Sequence, residues 1–233
     1  MHKQRQAASE WWLVAQPDHA ALAGDLASRI SSPDFPQLGD DVLRAITLHD
    51  EGWAQFDGLD VPKLGPDRPL SFLEVAMPEF LRAWRDSIER VEQVAPIGGI
   101  LVSEHFSRLG HSYLQSGRGS PDDDQIIHEF LRVETERRKQ LSRKQSFSSE
   151  EIGVLVDLLQ FCDLLSLYLC CGSGDSIEFP LRFKGRTIRL HREGESCRMD
   201  PPLFGQGASL AVRARKWPSP PPLRASSIPF LLT

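Results

Sequence analysis

Cysteine is scarce in this chain, and its pattern excludes two architectures. The four cysteines, Cys162, Cys170, Cys171 and Cys197, form no CxxC pair, so neither a disulfide framework nor a zinc ribbon is indicated. Three of them lie in or at the end of an apolar segment, which fits reduced, buried thiols in a cytoplasmic protein. Positive charge is not in excess either. Lys and Arg number 27 against 32 Asp and Glu, a net charge of -5, whereas a protein that lives on nucleic acid usually shows a dominant basic face. Long, clean apolar runs are also lacking. The best candidate for a membrane span, Leu155 to Cys171, holds two aspartates and falls short of about 20 residues. The segment before Trp11-Trp12 has no apolar stretch of the signal-peptide kind, and no internal repeat is found. What remains is a globular composition, 40% hydrophobic and 25% charged over 233 residues, enough to bury a core. The expected partner is a small molecule, with no nucleic acid and no membrane. Oligomeric state is not legible.

Periodicity then divides the chain. Trp11 to Ala15 reads as a short strand. Pro17 and Asp18 mark a helix start, and His19, Leu22, Ala23, Leu26 and Ile30 recur at helical spacing. A loop holding two prolines runs from Ser31 to Gly39. A second helix is expected from Asp40, with Val42, Ile46 and His49 on its inner face. Asp57 to Arg68 reads as a long loop, and Ser71 to Val94 as helix. After Pro96 and a Gly98-Gly99 turn, Ile100 to Leu109 is helical, with Leu101, Val102, His105 and Leu109 on one side. Ser120-Pro121 followed by three aspartates starts a charged helix. Ser148 and Glu151 form a capping box that opens the most hydrophobic helix, ending at Cys171-Gly172. From Ile177 the apolar period changes to two, which indicates short strands in a small antiparallel sheet. The expected fold is therefore mainly α: a helical bundle with a small C-terminal antiparallel β element, forming one domain over 11–217. Its helical core covers about 16–172 and its strands about 177–215, with 1–10 and the proline-rich 218–233 as flexible tails.

Chemistry is suggested by polar residues in apolar places. Asp163 lies in a segment that is apolar all round the helix. Burying a lone carboxylate is costly, so it must be protonated, paired or bound to a metal. Taken alone, Asp163 is better explained by a salt bridge to an arginine or a cap to a nearby backbone group. Asp157, six residues earlier, points elsewhere. In His49-Asp50, adjacent residues diverge by about 100° on a helix yet can both reach one ion. Their imidazole and carboxylate suit a borderline or hard divalent cation. His19 and His105 each occupy the inward stripe of a separate helix. A single such histidine is more often a satisfied core residue, but inward histidines and acids from four helices match the way helical bundles build metal sites.

The order His19, His49-Asp50, Asp163 resembles the HD-domain superfamily, which is largely made of metal-dependent phosphohydrolases. More narrowly, Gln-Pro-Asp-His-Ala (16–20), His-Asp-Glu-Gly-Trp (49–53), Leu-Val-Ser-Glu-His (101–105) and Asp-Leu-Leu-Ser-Leu-Tyr-Leu (163–169) resemble an uncharacterised bacterial family that carries only a domain-of-unknown-function label. The likeness spans roughly Trp11 to Trp217. It implies an HD-like helical fold and metal ligation by His19, His49, Asp50 and Asp163. Some members of the superfamily hold two metals with extra histidines. That implies His105 as a further ligand, with His111 the weaker choice, and Asp50 bridging the ions. The implied cofactor is one or two divalent ions: manganese, iron or magnesium. Where related subfamilies carry glycine-lysine after the pair, this chain has Glu51-Gly52-Trp53, so the phosphate-holding lysine is missing.

Three functions follow. The first is hydrolysis of a phosphoester or nucleotide-like small molecule by metal-activated water, with Asp50 and His105 as the catalytic groups. Phosphate would be oriented by Lys63, Arg68, Arg108, Arg137 or Arg138, though none stands out and each reads better as a solvated surface charge, as does Glu134. The second is a di-iron oxygenase of a small metabolite, which would need His105 and His111 as ligands. The third is a non-catalytic metal- or ligand-binding domain, with Pro201-Pro202-Leu203-Phe204 as a candidate contact surface. Trp53 and Tyr168 are candidate pocket walls.

Overall fold

Two of the helices begin on a side-chain cap, and three others open on a proline, which has no amide to satisfy. The computed structural model describes residues 2–7, 10–57, 69, 71–171, 174–193, 196–205, 208–218 and 225–232, with side-chain surroundings from Trp11 onward. Strands β1 (His2–Ala7) and β2 (Glu10–Val14) precede helix α1 (Gln16–Arg29), whose first turn holds Pro17. Helix α2 (Asp40–Leu48) leads into a 3-10 turn (Glu51–Trp53) and the four-residue α3 (Ala54–Asp57). A second 3-10 turn (Phe72–Glu74) precedes α4 (Met77–Val94) and α5 (Pro96–Ser116). Helix α6 (Pro121–Ser142) starts on a box in which the Asp123 amide donates to Ser120 Oγ at 3.1 Å. Helix α7 (Ser149–Cys171) starts on the expected box, with the Glu151 amide donating to Ser148 Oγ at 3.2 Å and the Ser148 amide to Glu151 Oε2 at 2.8 Å. Five further strands follow: β3 (Ser176–Phe183), β4 (Arg186–Glu193), β5 (Ser196–Asp200), β6 (Ala208–Trp217) and β7 (Ala225–Leu232).

The expected fold class needs correction. The seven strands form one sheet in the order β1-β2-β6-β7-β5-β4-β3. It is mixed, because β5 and β7 pair in parallel while the other neighbours are antiparallel. The protein is therefore a helical layer packed on a large mixed sheet, not a helical bundle with a small antiparallel element. Both expected tails contribute to that sheet: His2–Ala7 pairs with β2, and Ala225–Leu232 lies between β5 and β6. Ile228, Phe230 and Leu232 alternate at period two, and Phe230 and Leu232 are buried. Proline-rich sequence just before them hides the strand.

The two layers are joined by aromatic packing. Phe161 of α7 is fully buried against Phe35, Phe179 and Phe183 at ring-centroid distances of 5.9, 5.0 and 5.7 Å. Burial of one such ring stabilises the fold by roughly 1.5–3 kcal/mol. Leu203 and Phe204 are also buried, so that segment covers the core rather than offering a contact surface.

One local expectation is revised. Gly98 and Gly99 do not turn the chain but lie inside α5. A Cβ on Gly98 would overlap Val91 of α4 and come within 3.0 Å of Ala45 Cβ of α2. Their smallness lets three helices approach closely. Helix α7 keeps the bounds expected from its capping box, and its 23 residues are by length and composition alone enough to cross a membrane. In this fold 67% of its most apolar window is buried inside the protein, as in a core helix. The loop expected over Asp57–Arg68 lies almost wholly outside the described residues; Asp57 itself ends α3.

Candidate metal centre

Close helix approach brings the polar residues together. Gly24 of α1 lies against Thr47 of α2 so tightly that an added Cβ would overlap the threonine hydroxyl. That contact sets His19, in the first turn of α1, beside the end of α2. His49 is the C-cap of α2, and Asp50, with φ -111°, caps the following 3-10 turn. The pair therefore sits where the helix ends, not within it, and both side chains turn toward α7. Gly52 fixes this bend: its amide donates to Ser87 Oγ at 2.9 Å, and a Cβ there would overlap the Ala83 carbonyl.

His19, His49, Asp50, His105 and Asp163 are all buried and converge. Two overlapping triads, His19-His49-Asp50 and His49-His105-Asp163, each offer ligand atoms within 4.8 Å of one another. His19 Nε2 lies 2.8 Å from Asp50 Oδ2, and His49 Nε2 lies 3.4 Å from Asp163 Oδ1 and 3.8 Å from Asp50 Oδ2. His105 Nε2 is 3.9 Å from Asp163 Oδ2.

Hydrogen bonds on the far side orient two of the rings. His49 Nδ1 donates to the Ile46 carbonyl at 2.7 Å, which leaves Nε2 with the lone pair in a neutral ring. That nitrogen is buried and has no hydrogen-bond partner among the described residues. The Ser166 hydroxyl donates to the Asp163 carbonyl at 2.8 Å and so accepts from His19 Nδ1 at 2.9 Å. With neutral rings, both histidines thus turn lone pairs toward carboxylate oxygens. Acceptors facing acceptors in a buried space require a cation between them, either a proton or a metal ion. His105 lacks such support: its Nδ1 is buried and partnerless among the described residues.

The electrostatics agree. Burial favours the neutral form of His49, but the charge of Asp50 and the Asp163 carboxylate outweigh it and raise its pKa to about 9. Burial would push Asp163 up, yet His49, His105 and His19 hold it below the ordinary carboxylate range. Burial lowers His105 to about 4, offset only in part by Asp163. Without metal, a proton on His49 fills the gap between the acids. The donor set of imidazoles and carboxylates fits a borderline or hard divalent ion.

A cavity of about 270 Å³ opens over the cluster, with His19, Asp50, His105 and Asp163 on its floor. Its wall is mainly aromatic and includes Trp53, Phe72, Phe80, Trp84 and Tyr113. No lysine or arginine is among its described lining residues.

Other expected site residues lie elsewhere. Arg108 pairs with Asp157 at 2.6 Å and Glu104 at 3.3 Å. Arg138 donates to Ser103 and Ser107 and pairs with Glu104. Arg137 pairs with Glu92, and with the buried Glu134 at 3.2 Å, which keeps Glu134 out of the cluster. His111 is exposed. Tyr168 donates to the Gly174 carbonyl and does not line the cavity. Lys63 and Arg68 lie outside the described residues. Sequence reasoning missed Gln16, Ser166 and most of the aromatic wall. Gln16 stands three residues before His19, and Ser166 three after Asp163, a spacing that puts each on its neighbour's helix face.

Comparison with protein families finds that a model described as "Protein of unknown function (DUF3891)" matches residues 4–218. Neither the curated proteins nor the solved structures include a match to the chain.

Proposed function

The chain belongs to the DUF3891 family, and from that premise we propose that it is a metal-dependent hydrolase of a small molecule. The reading rests on one observation above all: His49 Nε2, buried and partnerless among the described residues, is aimed between Asp50 and Asp163 with its other nitrogen already committed. The order His19, His49-Asp50, Asp163 resembles that of the HD-domain superfamily and supports the same reading. In this reading His19, His49, Asp50 and Asp163 would hold one divalent ion, and His105 with Asp163 would contribute to a second. A bound divalent ion supplies Lewis acidity, lowering the pKa of a coordinated water to about 7. Asp50 and His105 border the cavity and have acceptor atoms for the proton that an attacking water gives up. The aromatic wall keeps bulk water from the reacting atoms, which strengthens each electrostatic contact on the floor.

A second reading, a di-iron oxygenase of a small metabolite, draws support from His105, which completes the second triad. It loses support at His111, which is exposed.

Elemental analysis of protein purified without a histidine tag tests both readings. The expected result is about one or two equivalents of manganese, iron or magnesium, with turnover of chromogenic esters that stops on chelation and returns with metal. Iron with an oxygen-dependent spectral change and no hydrolysis would favour the second reading. No metal after reconstitution would overturn both.

A further inference from the structure

The cavity over the cluster has a chemistry of its own. Its wall is a continuous set of aromatic contacts: Trp53 meets Phe80 edge-on at 5.0 Å, Phe72 stacks with Phe80 at 6.4 Å, and Phe80 meets Trp84 at 5.0 Å. The described positive groups that could hold a phosphate, Arg108, Arg137 and Arg138, are each engaged with acids away from this cavity. One polar side chain interrupts the wall beside the floor. Gln16 is 2% exposed, and its Oε1 has no hydrogen-bond partner among the described residues. The Gln16 backbone amide is fixed by Asp57 Oδ2 at 2.7 Å, so the residue is held at the cavity. A buried acceptor left unpaired costs stability, and such groups in native proteins usually await a partner.

We propose that the cavity binds a small neutral molecule with a ring-sized apolar group against the aromatic wall and one N–H or O–H donor to the Gln16 amide. Phosphorylated compounds are disfavoured, because among the described residues the wall offers no cation besides the proposed metal ion to pair with a dianion. The volume of about 270 Å³ accommodates one substituted ring. Gln16 is then a specificity-determining residue, and it acts without touching the metal. The proposal rests on the metal reading only in that its probe anchors through a metal-chelating group.

Calorimetric titration of the manganese-loaded full-length chain with three probes tests it. Benzohydroxamic acid carries a ring and an N–H, is uncharged before binding, and gives up one proton when it chelates a metal ion. Acetohydroxamic acid lacks the ring, and phenylphosphonate keeps the ring but brings a dianion. Benzohydroxamic acid is expected to bind at least about tenfold more tightly than acetohydroxamic acid, from burial of the ring, and more tightly than phenylphosphonate, which offers Gln16 no N–H donor. Gln16→Leu should weaken benzohydroxamic acid several-fold at unchanged manganese content and with no loss of melting temperature. Phe72→Ala, on the partly exposed turn that closes the wall, should reduce the preference for the ring while sparing acetohydroxamic acid. Equal binding of the two hydroxamates, or tighter binding of phenylphosphonate, would overturn the proposal and leave the metal reading standing. Failure of the protein to load manganese, iron or magnesium would overturn the metal reading and, since the probes anchor on the ion, this proposal with it.

Discussion

His19 and Ser166, 147 residues apart, share a 2.9 Å hydrogen bond between α1 and α7. Since the serine's proton is already committed to the Asp163 carbonyl, this bond fixes which nitrogen of His19 faces Asp50. Ser166→Ala should therefore lower metal affinity by about ten- to a hundredfold, the usual effect of removing a group that orients a ligand. Competition with a chromogenic chelator measures it. Unchanged affinity would mean that packing alone sets the ring.

Asp163→Ala and His49→Ala should each abolish metal binding. Asp157→Ala, which removes the partner of Arg108, should leave metal content unchanged. Elemental analysis of the three variants separates the two acids of α7. Chelation should lower the melting temperature of the wild-type chain, since a ligand of the folded state stabilises it by mass action, and should leave that of Asp163→Ala unmoved.

Metal-free stability should peak near pH 6.5. The raised pKa of His49, about 9 under the influence of Asp50 and Asp163, gives stability that is fully present below its unfolded value of about 6.5 and is lost as pH rises through 9. His105, lowered to about 4 by burial, acts the other way. Between about 4 and 6.5 the unfolded chain holds the proton that the folded chain does not, so stability rises with pH there. Denaturant titrations of chelator-treated protein across pH should trace both limbs, and His49→Gln should flatten the alkaline one. At pH 7 metal must displace the His49 proton, so binding should release about one proton per ion. Titrations in buffers of different ionisation enthalpy would count it.

Gly52→Ala should destabilise the protein by about 1–3 kcal/mol, the usual cost of forcing an extra carbon into a packed site. The added Cβ meets the Ala83 backbone, which cannot swing aside. Because the same turn directs Asp50, metal affinity should fall in parallel. A variant with lost stability and intact affinity would show that the turn does not aim the carboxylate.

The five clustered residues were legible from sequence because each broke a pattern: a charge in an apolar helix or a histidine on an inward stripe. Helix starts at Ser120 and Ser148 were legible from their caps. The sheet was not. Strand β7 shows its alternation at Ile228, Phe230 and Leu232, but Pro229 and the prolines before it argue against a central strand. Long-range pairing, with β2 against β6 and β7 beside β5, leaves no local signal in any one segment. Gly98 and Gly99 misled for a related reason. Glycine marks turns from local backbone freedom and helix crossings from tertiary contact, and the second cause is not written in the neighbouring residues.

The position of β7 has a consequence for the integrity of the chain. Cutting before Ala225 would remove an interior strand and leave β5 and β6 each with a row of unpaired amides and carbonyls facing a gap one strand wide. Bare edges of that kind recruit the nearest extended segment available, and the best-fitting one is the β7 of another copy. Truncation at this point should therefore yield a protein that exchanges strands or aggregates, even though every cluster residue lies upstream of the cut.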